Sequence, residues 1–258
     1  MKTTRYLDTH PGNRPRIFAH RGLTYQNNRQ VADENTLYAF ELALKAGADY
    51  LESDIQVTSD GLPVLFHDAD LKRLLGKSTS ISNMSLNELI AIRLPLGGSI
   101  PTLAEALESF PDAKFNLDLK TVRAETVGIE TIQELNAEHR VLISSFNEAS
   151  RKRALSKTQF PFATSAGSQK VLASYISARL GVSKVLARIL RDIDALQLPQ
   201  KLYGLDFTHP RFIEQVLQTE TEIHYWTINE PALMQELFAL GAHGIVTDRT
   251  DLARRAFN

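Results

Sequence analysis

Hydrophobic and polar residues alternate along short stretches of the chain, and this alternation predicts strands with two different faces. In the stretch 50–57, four residues fall on each face: Leu51, Ser53, Ile55 and Val57 on one, and Tyr50, Glu52, Asp54 and Gln56 on the other. The stretch 115–120 repeats the pattern, with Asp118 and Lys120 on its polar face. Side chains two residues apart on a strand point the same way, so each strand presents its charged groups together.

A predicted hairpin follows the acidic strand. Asp60-Gly61 favours a tight turn, and the apolar return segment 62–68 brings His67 back near Glu52 and Asp54. Two carboxylates this close raise the free energy unless a positive charge lies between them, and a divalent cation is the usual solution. An exposed acidic strand edge followed by a structural histidine is the alternative. The combination favours a metal site if the rest of that site exists elsewhere in the chain.

The order of predicted elements indicates a (β/α)₈ TIM barrel. Strands are expected near residues 18, 53, 117, 143, 162, 196, 225 and 246, and nearly all are followed by helices. A barrel of this kind needs about 250 residues, so the 258 residues fit one domain covering 1–258. Between the second strand and its helix, the irregular segment 68–101 is expected to form a short insertion over the barrel mouth.

Composition is typical of a soluble enzyme, with 43% hydrophobic and 23% charged residues. The chain has no cysteine, which excludes disulfides, thiolate metal sites and a cysteine nucleophile. Neither a signal-peptide core at the N-terminus nor an apolar run long enough to span a membrane is present. The expected location is therefore the cytoplasm.

The net charge of −1 is unevenly distributed along the chain. The segment 149–191 contains nine Lys or Arg residues and no acid, which suggests an anionic ligand or surface. Within it, the helical region 169–191 has an apolar stripe flanked by basic residues. The favoured interpretation is an outer helix of the barrel with solvated charges. The alternative is a weak interfacial contact with anionic lipid at a membrane.

Candidate chemistry collects where the strands of a TIM barrel end, which is where such enzymes place their sites. The candidates are His20 and Arg21 after the first strand, Glu52 and Asp54 in the second, His67 after the hairpin, Asp118 and Lys120 in the third, and Trp226 in the seventh. Three carboxylates suit Mg²⁺ or Ca²⁺, and two imidazoles suit acid and base roles. Asp118 and Lys120 could instead form a lateral ion pair, and Trp226 could belong to the core.

These residues lie in motifs that resemble the glycerophosphodiester phosphodiesterase family. The similarity runs from His20 to about Asp248, and its pieces are HRG at 20–22, ENT at 34–36, LESD at 51–54, TSDG at 58–61, HDADLKR at 67–73, NLDLK at 116–120, SSF at 144–146, WTIN at 226–229 and GIVTD at 244–248. Together these motifs are specific, although any one of them alone would mean little.

The resemblance implies hydrolysis of small glycerophosphodiesters to sn-glycerol 3-phosphate and an alcohol. It implies one divalent cation, Mg²⁺ or Ca²⁺, held by the residues matching Glu52, Asp54 and Asp118. It assigns acid and base roles to His20 and His67, and substrate binding to Arg21, Lys120 and Trp226, with Glu34 supporting the site. The route proposed for the family begins with attack of the glycerol 2-hydroxyl on phosphorus, which gives a cyclic phosphate that water opens.

The chain departs from the family pattern at two positions. Asp118 replaces the more common glutamate, which is one methylene longer, and Asp33 stands where proline commonly precedes ENT. Two other functions remain open: a phospholipase D-like activity on lysophospholipids, and a non-catalytic barrel that binds phosphodiesters. A nucleic-acid partner is not expected, because the chain lacks a basic and aromatic platform.

Overall fold

Eight parallel strands enclose the centre of the molecule in the computed structural model, which describes residues 5–7, 12, 14–27, 29–156, 158 and 160–257. In chain order they are β1 (Arg16–His20), β2 (Tyr50–Val57), β3 (Lys114–Leu119), β4 (Val141–Ser144), β5 (Ala163–Thr164), β6 (Ala195–Leu198), β7 (Glu222–Tyr225) and β8 (Gly244–Thr247). Each lies at a position where the sequence predicts a strand.

The hydrogen-bonded order of the strands is β5-β4-β3-β2-β1-β8-β7-β6. Only β5 and β6 do not pair as regular neighbours, and β5 is just two residues long. A parallel bridge between Ser165 and Ala195 spans this gap, supported by a hydrogen bond from the Asp194 amide to the Thr164 carbonyl oxygen at 2.9 Å. The sheet is therefore a nearly closed barrel, and the predicted (β/α)₈ fold is confirmed.

Helices connect successive strands on the outside of the barrel. They are α1 (Leu37–Lys45), α2 (Leu103–Ser109), α3 (Ala124–Glu134), α4 (Glu148–Leu155), α5 (Ser168–Leu180), α6 (Ser183–Leu190), α7 (Pro210–Leu217), α8 (Pro231–Ala239) and α9 (Thr250–Ala256). Single 3₁₀ turns lie at Arg5–Leu7, Ile81–Asn83 and Glu138–Arg140. The predicted break at Gly181 separates α5 from α6, where Gly181 adopts the left-handed conformation that ends many helices.

Further short strands form hairpins in addition to the eight strands of the barrel. Pro63–Leu65 returns antiparallel to β2, which is the hairpin predicted from Asp60-Gly61. Two further hairpins, which the sequence analysis did not identify, pair Tyr25–Gln26 with Arg29–Gln30 and Lys201–Leu202 with Leu205–Asp206.

Both faces of β2 are buried, although the two faces differ in chemistry. Leu51 and Ile55 belong to the apolar core between the strands and the helices. Tyr50 lies in a second cluster with Phe18, whereas the acids further along the same face line a cavity. The alternation in the sequence therefore separates an apolar outer face from an inner face that becomes polar toward the carboxyl end.

A polar cluster lies toward the amino-terminal ends of the strands. Arg16 donates to both carboxylate oxygens of Glu222 at 2.8 Å and to the Tyr50 hydroxyl at 3.0 Å. His224 Nε2 lies 2.9 Å from Glu222. Burial alone would raise the pKa of Glu222, but the hydrogen bonds from His224 and Arg16 outweigh it and hold that pKa well below its usual range.

The segment 68–101 forms a small unit with its own apolar cluster and two helices, Lys72–Leu75 and Leu86–Ile90. Asp33 anchors this unit, because its Oδ2 accepts hydrogen bonds from the amides of Leu96 at 3.0 Å and Gly98 at 3.1 Å. The aspartate that replaces a common proline thus has a structural role here. Within the described ranges, none of the helices has both the length and the apolar character that crossing a membrane requires. The cytoplasmic location stays a prediction.

Candidate active site

A cavity of about 450 Å³ opens at the carboxyl ends of the barrel strands. Eight of the nine candidate residues line it: His20, Arg21, Glu52, Asp54, His67, Asp118, Lys120 and Trp226. The ninth, Glu34, lies behind the lining and accepts a hydrogen bond from Arg21 at 3.1 Å. Residues up to 206 positions apart in the sequence therefore meet in one pocket, because the strands that carry them end at the same edge of the barrel.

The acidic side of the cavity is set by the register of β2 and β3. Glu52 is the direct neighbour of Asn116, and Asp54 is the direct neighbour of Asp118. Lys120 Nζ lies between the two aspartates, 2.8 Å from Asp54 Oδ1 and 2.7 Å from Asp118 Oδ2. The lateral ion pair considered from the sequence is thus present, and it is shared between two strands.

Burial governs the ionisation of these acids. It raises the pKa of Glu52, and the charge of Asp54 raises it further. Burial also raises the pKa of Asp118, against the opposing effect of Lys120. For Asp54, the charges of Lys120 and Arg21 outweigh burial, and its pKa is lowered. Burial therefore makes two of the three acids harder to ionise than they would be in water, and further positive charge nearby would oppose this effect.

The oxygen atoms of this cluster fit a hard divalent cation. Asp54 Oδ2 and Asn116 Oδ1 are buried and accept no hydrogen bond from the described residues, although Arg21 Nε forms an ion pair with Asp54 Oδ2 at 3.6 Å. Together with Glu52 and Asp118 they form a set of oxygen donors on two neighbouring strands, which is what Mg²⁺ or Ca²⁺ requires. In the described part of the chain, no three acidic or histidine side chains are already arranged around a metal position. The ammonium of Lys120 lies between two of the acids instead.

Each of the two histidines is held by a carboxylate. His20 Nδ1 lies 2.6 Å from Asp248 Oδ1, and His67 Nδ1 lies 2.7 Å from Asp68 Oδ1. Burial opposes charge on Asp248 and Asp68, but hydrogen bonds led by those from His20 and His67 lower the pKa of both acids. An ionised carboxylate can only accept, so each Nδ1 carries the hydrogen and each Nε2 is left to exchange a proton.

The pKa of His20 is raised. Burial acts to lower it, but the hydrogen bond to Asp248 and the charge of Glu52 outweigh burial. Asp248 is in turn fixed by the side-chain amide of Asn229 at 2.8 Å. The orientation of His20 thus depends on residues that follow β7 and β8.

Arg73 connects the two halves of the site. Its Nε donates to Asp68 at 2.6 Å, and its two terminal nitrogens donate to Glu34 at 3.0 and 2.5 Å. Asp68 holds His67, and Glu34 holds Arg21. One guanidinium from the segment 68–101 therefore supports both a histidine and an arginine of the cavity.

Backbone geometry explains the HRG motif. Arg21 and Gly22 both have positive φ, at 56° and 88°. A Cβ atom on Gly22 would lie 2.7 Å from the Cβ of Ala39, so only glycine fits where the chain crosses α1. This tight turn brings the Arg21 amide to 3.1 Å from Glu52 Oε2.

Aromatic side chains cover the cationic side of the cavity. Trp226 meets Phe146 edge to face with ring centroids 6.0 Å apart, and Lys120 Nζ lies 5.7 Å from the Phe146 centroid. Trp226 also packs against the cluster of Phe18 and Tyr50 inside the barrel. Both interpretations of this tryptophan, cavity lining and core packing, therefore describe its position.

The opposite wall of the cavity is apolar. It is formed by side chains from the start of α5, from the end of β6 and the residue after it, and from the hairpin 201–206 and the residue after it: Val171, Leu172, Leu198, Pro199, Leu202, Tyr203, Leu205 and Phe207. No local pattern in the sequence predicts this wall.

Three supporting residues were missed as well. Asp68, Arg73 and Asp248 lie in the motifs HDADLKR and GIVTD, but the pattern alone gives them no partner. For Asp68, its position directly after His67 in the sequence was a signal of its role. Arg73 and Asp248 had no comparable signal.

Two imidazoles, each held by a carboxylate, share the cavity with the cationic side chains of Arg21 and Lys120. Such a set of groups is suited to cleaving phosphate esters, so fold and site together are those of a TIM-barrel hydrolase that acts on phosphate esters. Comparison with known families makes the class specific. Residues 20–252 match the glycerophosphoryl diester phosphodiesterase family, and the chain belongs to it. It is accordingly a phosphodiesterase.

Individual relatives agree with this assignment. The chain is 36% identical over 236 residues to the probable glycerophosphodiester phosphodiesterase 2 of Mycobacterium tuberculosis, covering 92% of this chain and 88% of that protein. It is 27% identical over 284 residues to the human lysophospholipase D GDPD1, covering 96% and 85%. A structure of an Oleispira antarctica phosphodiesterase with the product sn-glycerol-3-phosphate superimposes with a TM-score of 0.72 at 25% identity, covering 94% of this chain and 96% of that one.

Proposed function

We propose that this phosphodiesterase hydrolyses glycerophosphodiesters to sn-glycerol 3-phosphate and an alcohol, with one divalent cation and with His20 and His67 as its acid and base. The observation that carries the proposal is that two imidazoles line one cavity. In each, Nδ1 is hydrogen-bonded to a carboxylate, which leaves Nε2 available for proton transfer. The product bound to the Oleispira antarctica relative supports the substrate class.

Oxygen atoms of Glu52, Asp54 and Asp118 would hold the cation, with Asn116 as a further neutral donor. A bound Mg²⁺ or Ca²⁺ would supply positive charge that polarises the phosphoryl group and lowers the pKa of a nearby hydroxyl. The pKa of Glu52, which burial and the charge of Asp54 raise, and the two buried oxygens that accept no hydrogen bond support such a site. Asp118 has a shorter side chain than glutamate, and Asn116 lies on the same face of β3, where it would add an oxygen donor.

The remaining groups bind the substrate. Arg21 and Lys120 neutralise the phosphate, and Glu34 keeps the guanidinium of Arg21 in position. One imidazole removes the proton of the glycerol 2-hydroxyl as it attacks phosphorus, and the other protonates the departing alkoxide. The cyclic phosphate that results is opened by water with the two roles exchanged. Trp226 lies against the substrate on the aromatic side.

Release of sn-glycerol 3-phosphate from glycerophosphocholine and glycerophosphoethanolamine tests this function. We expect turnover that a chelator abolishes and that added Mg²⁺ or Ca²⁺ restores. His20→Ala and His67→Ala should each abolish turnover and leave the circular dichroism spectrum unchanged, whereas His139→Ala, on the outer 3₁₀ turn, should leave turnover intact. Wild-type turnover in either cavity variant would refute the assignment.

A second candidate substrate is a lysophospholipid, which the same groups would cleave between phosphate and headgroup. The apolar wall favours it, because Leu172, Leu202 and Phe207 offer a surface to an acyl chain beside the polar groups. The similarity to the human lysophospholipase D supports this alternative. A higher kcat/KM for lysophosphatidylcholine than for glycerophosphocholine would favour it, and the reverse would favour the water-soluble substrate.

A further inference from the structure

We propose that an exposed apolar strip beside the cavity docks the enzyme on membranes that contain anionic phospholipid. The strip, called the apolar rim, consists of Leu172, Ile176 and Leu180 on α5 and of Leu202 and Tyr203 on the hairpin 201–206. The proposal deepens the proposed function, because it names the surface from which a lipid-derived substrate would reach the site.

The exposure of the apolar rim is the first observation. Tyr203 is 95% exposed, Leu180 69%, Ile176 49%, Leu172 46% and Leu202 42%. Because the three residues of α5 are spaced four apart, they form one continuous line along the helix. Contiguous apolar surface of this kind is uncommon on soluble proteins and marks a contact site.

The hairpin holds its tyrosine away from the protein. Tyr203 and Gly204 both have positive φ, at 49° and 79°, in the two-residue turn between Lys201–Leu202 and Leu205–Asp206. Such a turn matches the twist of the two strands and fixes the hairpin. A residue other than glycine is uncommon in this conformation. A tyrosine presented in this way has the apolar body and polar tip that suit a membrane–water interface.

The apolar rim is continuous with the cavity. Leu172, Leu202 and Tyr203 line the same pocket as His20 and His67. A lipid headgroup can therefore enter the pocket while the acyl chain stays against the apolar rim.

The positive charge of the helix beside the apolar rim favours an anionic lipid surface as its partner. Most basic residues in the first part of the segment 149–191 are neutralised, since Arg151 pairs with Glu148 and Arg153 pairs with Glu125. Lys184 and Arg188 of α6 are exposed, and no ion pair links them to a carboxylate among the described residues. Helix α6 packs against α5 and also exposes Val185. Exposed apolar side chains and unneutralised cations on two helices that pack together are the composition that binds anionic membrane surfaces.

The sequence offered the whole region 169–191 as a possible membrane contact. The structure narrows it, because Ser174, Ser177 and Ala178 face the interior of the molecule and Leu186 and Leu190 belong to the core. It also adds the hairpin 201–206, which lies outside that region.

Flotation with vesicles tests the proposal. Wild-type protein should bind phosphatidylcholine vesicles that contain phosphatidylglycerol, and should bind pure phosphatidylcholine more weakly. The double variant Ile176→Asn/Leu180→Asn removes two exposed aliphatic side chains, so binding should fall by at least about tenfold. Leu217→Asn is the matched control. Leu217 is 44% exposed at the end of α7, at the other end of the barrel, and its loss should leave binding unchanged.

Two results would overturn the proposal: no binding of wild-type protein to either vesicle, or equal binding of wild type and double variant. If vesicles do not bind and the double variant dissociates a wild-type dimer, the apolar rim is a contact between copies instead. Hydrolysis of glycerophosphocholine, measured in parallel without vesicles, separates this proposal from the proposed function. Neither Ile176 nor Leu180 lines the cavity, so this activity should be the same in wild type and double variant.

Discussion

Replacing Arg73 with alanine tests whether one side chain outside the cavity positions two groups inside it. The substitution removes three hydrogen bonds, one to Asp68 and two to Glu34, which have lengths of 2.6, 3.0 and 2.5 Å. Asp68 then still accepts from His67, and Glu34 still accepts from Arg21, but neither carboxylate is held in place by Arg73.

The cost in stability should be small because the side chain of Arg73 is 45% exposed and its ion pairs are screened by water. A loss of about 1 kcal/mol corresponds to a decrease in Tm of roughly 2–4 °C for a chain of this size. The cost in activity should be larger. A group that orients a reacting or ligating side chain is worth about 10–100-fold, so kcat should fall by that factor. KM should rise, since Arg21 binds phosphate less well when Glu34 is mobile.

Steady-state hydrolysis of glycerophosphocholine and thermal unfolding of the same preparation measure both effects. Arg73→Lys keeps the charge but cannot bridge two carboxylates with a fixed fork, so its kcat should lie between those of wild type and Arg73→Ala. Arg93→Ala is the control, because Arg93 lies in the same segment and, among the residues that the structure describes, donates only to the carbonyl oxygens of Ile90 and Ile92. A kcat within about twofold of wild type in Arg73→Ala would refute the positioning role.

Three further changes probe the barrel and its insertion. Glu222→Gln should destabilise the fold by about 3 kcal/mol at pH 7, since it breaks a buried pair with Arg16. The folded-state pKa of Glu222 is depressed, so its contribution is present above its unfolded pKa and is lost as the pH falls below about 5. Urea unfolding should therefore show wild type and variant converging in acid, and a constant difference would contradict the pairing. Asp33→Ala should cost about 1–2 kcal/mol and speed amide exchange in the segment 68–101, and unchanged exchange there would show that the anchor is unimportant. Gly22→Ala should lower both Tm and kcat, because its new methyl group meets Ala39, and a fully active, equally stable variant would contradict the geometry.

The barrel itself was predictable because its signal is local. Alternation along 50–57 and 115–120 specifies which residues face inward, and strands that share a sheet must end at the same edge. The convergence of His20, Glu52 and Asp118 follows from that rule alone. The short β5 and the hairpin 201–206 were harder, because two-residue strands are too short to show a period.

The supporting residues of the site were not predictable, because partners that are distant in sequence carry no local pattern. Asp248 meets His20 across 228 positions, and Arg73 meets Glu34 across 39. The excess of basic residues in 149–191 overstates the free positive charge of this part of the fold for the same reason. Arg153, for example, is neutralised by Glu125, an acid outside the counted stretch. The net charge of a sequence segment therefore differs from the net charge of the surface it forms, because acids from other segments pair with its basic residues.

The hydrogen bond between His20 and Asp248 joins the first barrel strand to the residue that follows the last one. During synthesis, β8 and the residue after it must therefore leave the ribosome before this imidazole acquires its carboxylate. Nascent fragments that lack β8 contain most of the motifs but not this pair. The pairing of His20 with Asp248 thus arises only when the last barrel strand takes its place, so closing the barrel and orienting this imidazole are one event.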